Sequence, residues 1–175
     1  MPDTPLPQHP IDAQINEVAG RWLLSLERPV GHSCNEIWQA ITDKDVVRRW
    51  APFAPDRDLT ETGVVALRQV DDPELPATPG RVVTAAMQRM LSLDWGKDRI
   101  DIELAPTADE SVVHLSHTFD DRTMAPSFAA GWHLCLQALD SVLNGEDTPI
   151  VVGDAAHAAG WDELYDRYAA LFEQE

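Results

Sequence analysis

The chain has 175 residues, enough for one well-buried core and too few to suggest two ordinary domains. Its 44% hydrophobic content, with six tryptophans, excludes a disordered polymer, because that much apolar surface offsets the entropy of ordering the chain. A formal charge of −17 argues against DNA, RNA and anionic membranes as partners, since these are bound by Lys and Arg neutralising phosphates.

Met1 to Pro10 carries four prolines, no Lys or Arg and no apolar run, so residues 1–19 are expected as a disordered or extended leader without a secretory signal. Arg21 to Arg28 alternates as a strand with Trp22, Leu24 and Leu26 on one face, and Pro29 is expected to end it. Ser33-Cys34-Asn35-Glu36 matches a capping box for a helix through Ile37, Trp38 and Ile41. Asp43 can cap a second short helix carrying Val46, Val47 and Trp50, stopped by Pro52 and Pro55.

The middle of the chain reads as an antiparallel meander. Glu61-Thr62-Gly63 is a turn before a strand from Val64 to Val70, and the proline-rich stretch from Asp71 to Gly80 is expected as a loop. Arg81 to Met87 and Met90 to Trp95 follow as strands, and Gly96-Lys97 as a tight turn. Arg99 to Leu104 alternates charged and apolar residues without a slip, and its partner, Ser111 to Phe119, puts Val113, Leu115, His117 and Phe119 on one face. After Pro126 the period changes from two to 3.6. Phe128, Trp132, Cys135, Leu136, Leu139, Val142 and Leu143 form one stripe of a helix of about five turns, which Asn144-Gly145 should end. Trp161 to Phe172 repeats helical spacing and is expected to fold back over the body.

This order, a strand, two short helices, a run of antiparallel strands and one long helix, resembles the START-like or SRPBCC superfamily. The chain is similar to its heat-shock-protein-90 ATPase activator homologue-like branch in Glu36-Ile37-Trp38-Gln39-Ala40-Ile41-Thr42-Asp43 followed by Trp50. The likeness continues in Val113 to Thr118 and in Gly131-Trp132-His133 leading the last long helix. It implies an α+β helix-grip fold, a curved antiparallel sheet wrapped around the long C-terminal helix, with a cavity that holds apolar or amphipathic small molecules. The expected organisation is a leader over 1–19, a START-like domain over 20–145, and a C-terminal extension over 146–175 whose short helix packs on the domain. The chain departs from the branch in the loop at 71–80 and in this extension, either of which could close the pocket.

Chemistry-bearing residues are sparse. His114 and His117 are three apart on a strand and face opposite ways, so they cannot chelate one ion together. His133 lies about 120° from the centre of the helix's apolar stripe and is expected at the helix edge or in solvent. Cys34 and Cys135 are too few for a disulfide framework, and each points away from the nearest histidine in sequence. No metal and no cofactor are expected. Asp94 and Glu103 fall on outward positions and read as solvated. His117 shares the inward face and is the one catalytic candidate, as a base at the cavity wall; the plainer alternative is a core histidine satisfied by its neighbours.

The reading that follows is a cytoplasmic protein, monomer or homodimer, binding an apolar or aromatic ligand. The expected lining is Trp50, Phe53, Arg68, Leu93, Trp95, His117, Trp132 and Leu136, with Arg68 as a possible anchor for an acidic group. Two alternatives stay open: a polyketide cyclase-like or hydrolase-like enzyme using the same cavity, and a protein-interaction module with a filled core that binds through its outer sheet face.

Overall fold

The computed structural model describes residues 12–147 and 153–174. Eight strands form one antiparallel sheet: β1 (Asp12–Val18), β2 (Arg21–Val30), β3 (Phe53–Pro55), β4 (Gly63–Gln69), β5 (Thr78–Ala86), β6 (Met90–Trp95), β7 (Asp98–Pro106) and β8 (Ser111–Phe119). Their order across the sheet is β1-β2-β8-β7-β6-β5-β4-β3. The helices are α1 (Cys34–Thr42), α2 (Lys44–Trp50), α3 (Ala125–Leu143), α4 (Asp154–Ala158) and α5 (Trp161–Glu173). This is the α+β helix grip that the alternation and the period change imply.

The centre of the sheet carries the clearest pattern. Every second residue of β8, from Ser111 to Phe119, is buried, and the ladder register aligns these positions with inward residues of neighbouring strands. One row runs Leu26, Leu115, Ile102, Leu91; the next runs Leu24, His117, Ile100, Leu93, Val82. A histidine thus stands in the middle of an apolar row, and the helix packed on that row must satisfy it.

The edges were harder to read. Asp12–Val18 form β1 within the segment expected as a leader, joined to β2 by a two-residue turn, Ala19-Gly20, with φ +53° and +79°. Positive φ at both positions is the turn geometry whose twist suits a hairpin. Residues 1–11 of that segment lie outside the described residues. Pro29 does not end its strand, since β2 continues to Val30 and pairs Pro29 with Val112. Part of the stretch expected as a loop is strand: Thr78–Gly80 open β5, pairing with Leu67, Ala66 and Val65. Gly80 makes this possible, because a Cβ there would stand 2.8 Å from both the Asp94 carbonyl and Leu67 Cδ1. Phe53–Pro55, expected only to stop a helix, pair with β4 as a short edge strand.

Both short helices start as their caps dictate. Ser33 accepts from the Glu36 backbone while Glu36 accepts from the Ser33 backbone, and Asp43 accepts from the Asp45 backbone at 2.9 Å. The long helix α3 lies on the concave face of the sheet and is covered on its other side by α5, through Leu164, Tyr168 and Phe172. That second layer overturns the expectation for His133. The residue is fully buried rather than at a solvent edge, with Nδ1 2.8 Å from the Tyr168 hydroxyl. Its 120° offset from the first stripe is the position a second packing face requires.

Burial, with smaller contributions from the Arg28 and Arg167 charges, depresses the His133 pKa to about 4. An unfolded chain restores the ordinary value near 6.5, so between these limits the unfolded state binds the extra proton. Stability contributed by neutral His133 is therefore complete above ~6.5 and lost as pH falls toward about 4, by roughly 3 kcal/mol at the acid end. Replacing His133 by Gln should flatten the fall in Tm across this window relative to the parent protein. Parallel thermal melts from pH 7 to 4 check it; superimposable pH profiles would show that His133 is not the group responsible.

Candidate functional site

Trp132 and His117 face each other across the sheet-helix boundary. The Trp132 indole Nε1 donates to His117 Nδ1 at 3.0 Å, and His117 Nε2 lies 2.7 Å from Asp98 Oδ2. An indole N–H only donates, so Nδ1 must be the unprotonated nitrogen and Nε2 must carry the hydrogen that Asp98 accepts. Asp98 begins β7 at the sheet rim, on the same face as Ile100, and Arg21 stands 4.0 Å from it. The His117 ring is also enclosed by Phe128 at a centroid distance of 4.3 Å and by Phe119 at 5.3 Å.

Beside this pair lies a cavity of about 180 Å³. Trp95, Phe128 and Trp132 form its inner wall, Pro52 one rim, and Gly153, Ala156 and Trp161 border it from the C-terminal extension, leaving it partly open. Ser127, Gly131 and Cys135 complete the α3 side. Among the described residues no ionised side chain lines it: burial pushes the Cys135 thiol up to about 12, and the polar end of Trp132 is committed to His117. Gly131 has open space where its side chain would be, with nothing within 4 Å of a Cβ placed there.

Of the residues expected to line one chamber, Trp95 and Trp132 do line this cavity, and His117 stands behind Trp132 and Phe128. Trp50, Phe53 and Leu93 belong instead to filled core, around a void of only about 10 Å³. There the Trp50 indole donates to the Ala40 carbonyl at 2.9 Å. Leu136 is buried in the same core. Arg68 is exposed on the face of β4 opposite Leu67, so it cannot anchor an acidic group inside. Sequence reasoning missed Gly131, Ala156 and Trp161; the nearest signal was a glycine inside a helical pattern.

His114 faces the outer side of the sheet, 3.5 Å from Glu27, while His117 faces inward. That outer face holds an open, shallow groove of about 370 Å³ edged by Asp12, Glu27, Glu103 and His114. Asp94, outward as expected, pairs with Arg99. Among the described residues no group of three His, Cys, Asp or Glu could hold a metal ion. No described helix is long and apolar enough to cross a membrane.

Solved structures similar to this chain share its fold at low identity. EF2215 of Enterococcus faecalis, described as a conserved protein of unknown function, superposes with a TM-score of 0.71 at 16% identity, covering 91% of this chain and 89% of that one. CalU16 of Micromonospora echinospora gives 0.69 at 19% identity over 92% and 96%. DynU16, a protein of the dynemicin biosynthetic locus, gives 0.62 at 16% identity over 71% and 48%. A sequence search among curated proteins finds no match. A family model does match residues 32–144, from the start of α1's cap to the end of α3, and with the helix grip and its central histidine row in place, the chain belongs to the Activator of Hsp90 ATPase homolog 1-like family within the START-like superfamily.

Proposed function

We propose that the protein binds a small apolar or aromatic molecule in the cavity between α3, Trp95 and the C-terminal extension. Gly131 carries this reading. A glycine within a helix costs about 0.5–1 kcal/mol relative to alanine. Such a residue is usually explained by a close approach, yet no atom comes within 4 Å of the missing Cβ. What the glycine provides is space, and that space opens on an aromatic wall free of ionised groups. The origin of DynU16 in a biosynthetic locus agrees with a role for this fold beside small molecules.

In this reading His117 is a positioning residue rather than a base. Both ring nitrogens are engaged, one by a donor that cannot give way to a proton, so His117 holds the Trp132 ring upright as a cavity wall. The cyclase-like or hydrolase-like alternative would require a nitrogen free to face a substrate.

Substituting Gly131 by Ala should raise helix stability by about 1 kcal/mol, read as a higher Tm. Gly131→Leu should keep the fold and abolish binding of a neutral bicyclic probe, 2-naphthol, followed by quenching of tryptophan fluorescence. Undiminished 2-naphthol binding by the leucine variant would remove the cavity from consideration. Native mass spectrometry of the purified parent protein should show a co-purifying molecule that the leucine variant lacks.

Trp132→Phe keeps the ring but leaves His117 Nδ1 without its donor, and should lose about 1–2 kcal/mol of stability to denaturant. Long-range 1H–15N spectra of the parent protein should show the His117 tautomer that carries its hydrogen on Nε2. A ring protonated at Nδ1 would contradict the proposed hydrogen-bond direction.

A further inference from the structure

Gly153, Ala156 and Trp161, which border the partly open cavity, lie beyond the stretch that defines the family, which stops at residue 144. They belong to two helices held in different ways. α5 is fastened to the body by Leu164, Tyr168 and Phe172, by the Tyr168–His133 hydrogen bond, and by Arg122 donating to the Phe172 carbonyl at 3.0 Å. α4 buries Ala156 alone and is joined to α5 through Gly160, whose φ of +98° few other residues adopt. The ring that follows this joint, Trp161, is backed by Tyr165 in a stack with centroids 5.2 Å apart and met at its edge by His157 at 5.3 Å. An indole braced by a second ring is a flat surface that keeps its orientation when α4 moves.

We infer that this part of the extension is a ligand-selecting lid, in which α4 swings on Gly160 to admit the ligand and Trp161 selects an uncharged planar aromatic molecule of one or two rings by stacking on it. The inference rests on the ligand-binding reading and narrows it. Size sets the upper bound: an apolar cavity of about 150 Å³ is known to take benzene, and this one measures about 180 Å³. Charge is disfavoured because an ion stacked against Trp95, Trp132 and Trp161 would lose its hydration and gain no ionic partner from the described lining residues, and an anion would also meet the Asp71 carboxylate beside Gly153. Flatness follows from the walls, where Trp95, Trp132 and Trp161 present rings and the α3 side presents the missing side chain of Gly131.

Cys135 lies under the lid and reports on its opening. With Cys34 replaced by Ser, Cys135 is the only thiol in the chain. Its burial, which holds it as the unreactive thiol, makes labelling by 4,4′-dithiodipyridine depend on exposure. Saturating 2-naphthol should slow this labelling at least tenfold. Trp161→Ala should speed labelling in the absence of ligand and weaken 2-naphthol binding about tenfold, the value of one lost aromatic stack. Trp161→Phe should restore both, and 2-naphthoate should not bind the parent. If Trp161→Ala leaves either the labelling rate or the 2-naphthol affinity at the parent value, or if 2-naphthoate binds as well as 2-naphthol, the lid proposal is overturned while ligand binding in the cavity stands. If 2-naphthol fails to bind the parent, or binds Gly131→Leu equally, both proposals fall together.

Discussion

A buried hydrogen bond from Trp132 to His117 ties the long helix to the centre of the sheet, where the two otherwise meet through apolar contact, and Arg28 on β2 adds a tie nearer the helix end by donating to Asp140 at 3.4 Å. The Trp132 indole has one proton to donate and His117 is the acceptor, set in a row of Leu24, Ile100 and Leu93 that offers nothing else. Apolar packing is non-directional and tolerates small slides of a helix along a sheet. A buried donor-acceptor pair does not, because either partner left unpaired loses about 1–3 kcal/mol. The pair therefore sets the rotation and height of α3, and with them the positions of Phe128, Gly131 and Cys135 along the cavity. Asp98 completes the arrangement by accepting from Nε2, the one ring nitrogen that bears a hydrogen, so the imidazole has one tautomer and one orientation.

The parts of this fold that were legible in the sequence are those in which a periodic pattern meets a single partner. β7 and β8 each bury one face and expose the other, and their alternation is visible residue by residue. The caps of α1 and α2 are local, complete within four residues, and form as their side chains dictate. β1 was not legible, because an edge strand burying only Ala13 and Ile15 has almost no apolar pattern to show. Thr78–Gly80 were hidden by Pro79, whose missing donor argues for a loop although its carbonyl still accepts from Gly96.

His133 and the cavity failed to show for a common reason. Both depend on the extension, whose contacts with α3 are distant in sequence, His133 and Tyr168 being 35 positions apart. A stripe calculation finds the face of α3 that meets the sheet; it cannot find a second face until something is known to lie against it. Buried residues on α3 consequently include Leu134 and His133 as well as the expected Trp132, Cys135 and Leu136. The chamber expected between Trp50, Phe53 and Leu93 is occupied by those side chains themselves, which leaves only a small void. Aromatic residues at such positions do not distinguish a filled space from a lined one, because in each case the rings point inward.

Side-chain size along α3 explains why the open space lies where it does. Before Trp132 the helix buries only Ala125, Ala129 and Ala130 and includes Gly131, while from Trp132 onward it buries Trp132, His133, Leu134, Leu136 and Leu139 along with Cys135 and Ala138. Small residues let α3 approach the sheet closely on one side but leave the opposite side thin, so a covering element must reach further to fill the gap. α5 fills part of it with Leu164, Tyr168 and Phe172, meeting His133 through the Tyr168 hydroxyl and Arg122 through the Phe172 carbonyl. On the flank that carries Gly131 the cover is α4, which buries only Ala156, and the remaining volume is bounded by Trp161 and Trp95 instead of being packed. A run of small residues on one helix, met by a cover that buries a single alanine, is sufficient to produce an apolar cavity beside α3 in a protein whose central core is otherwise dense.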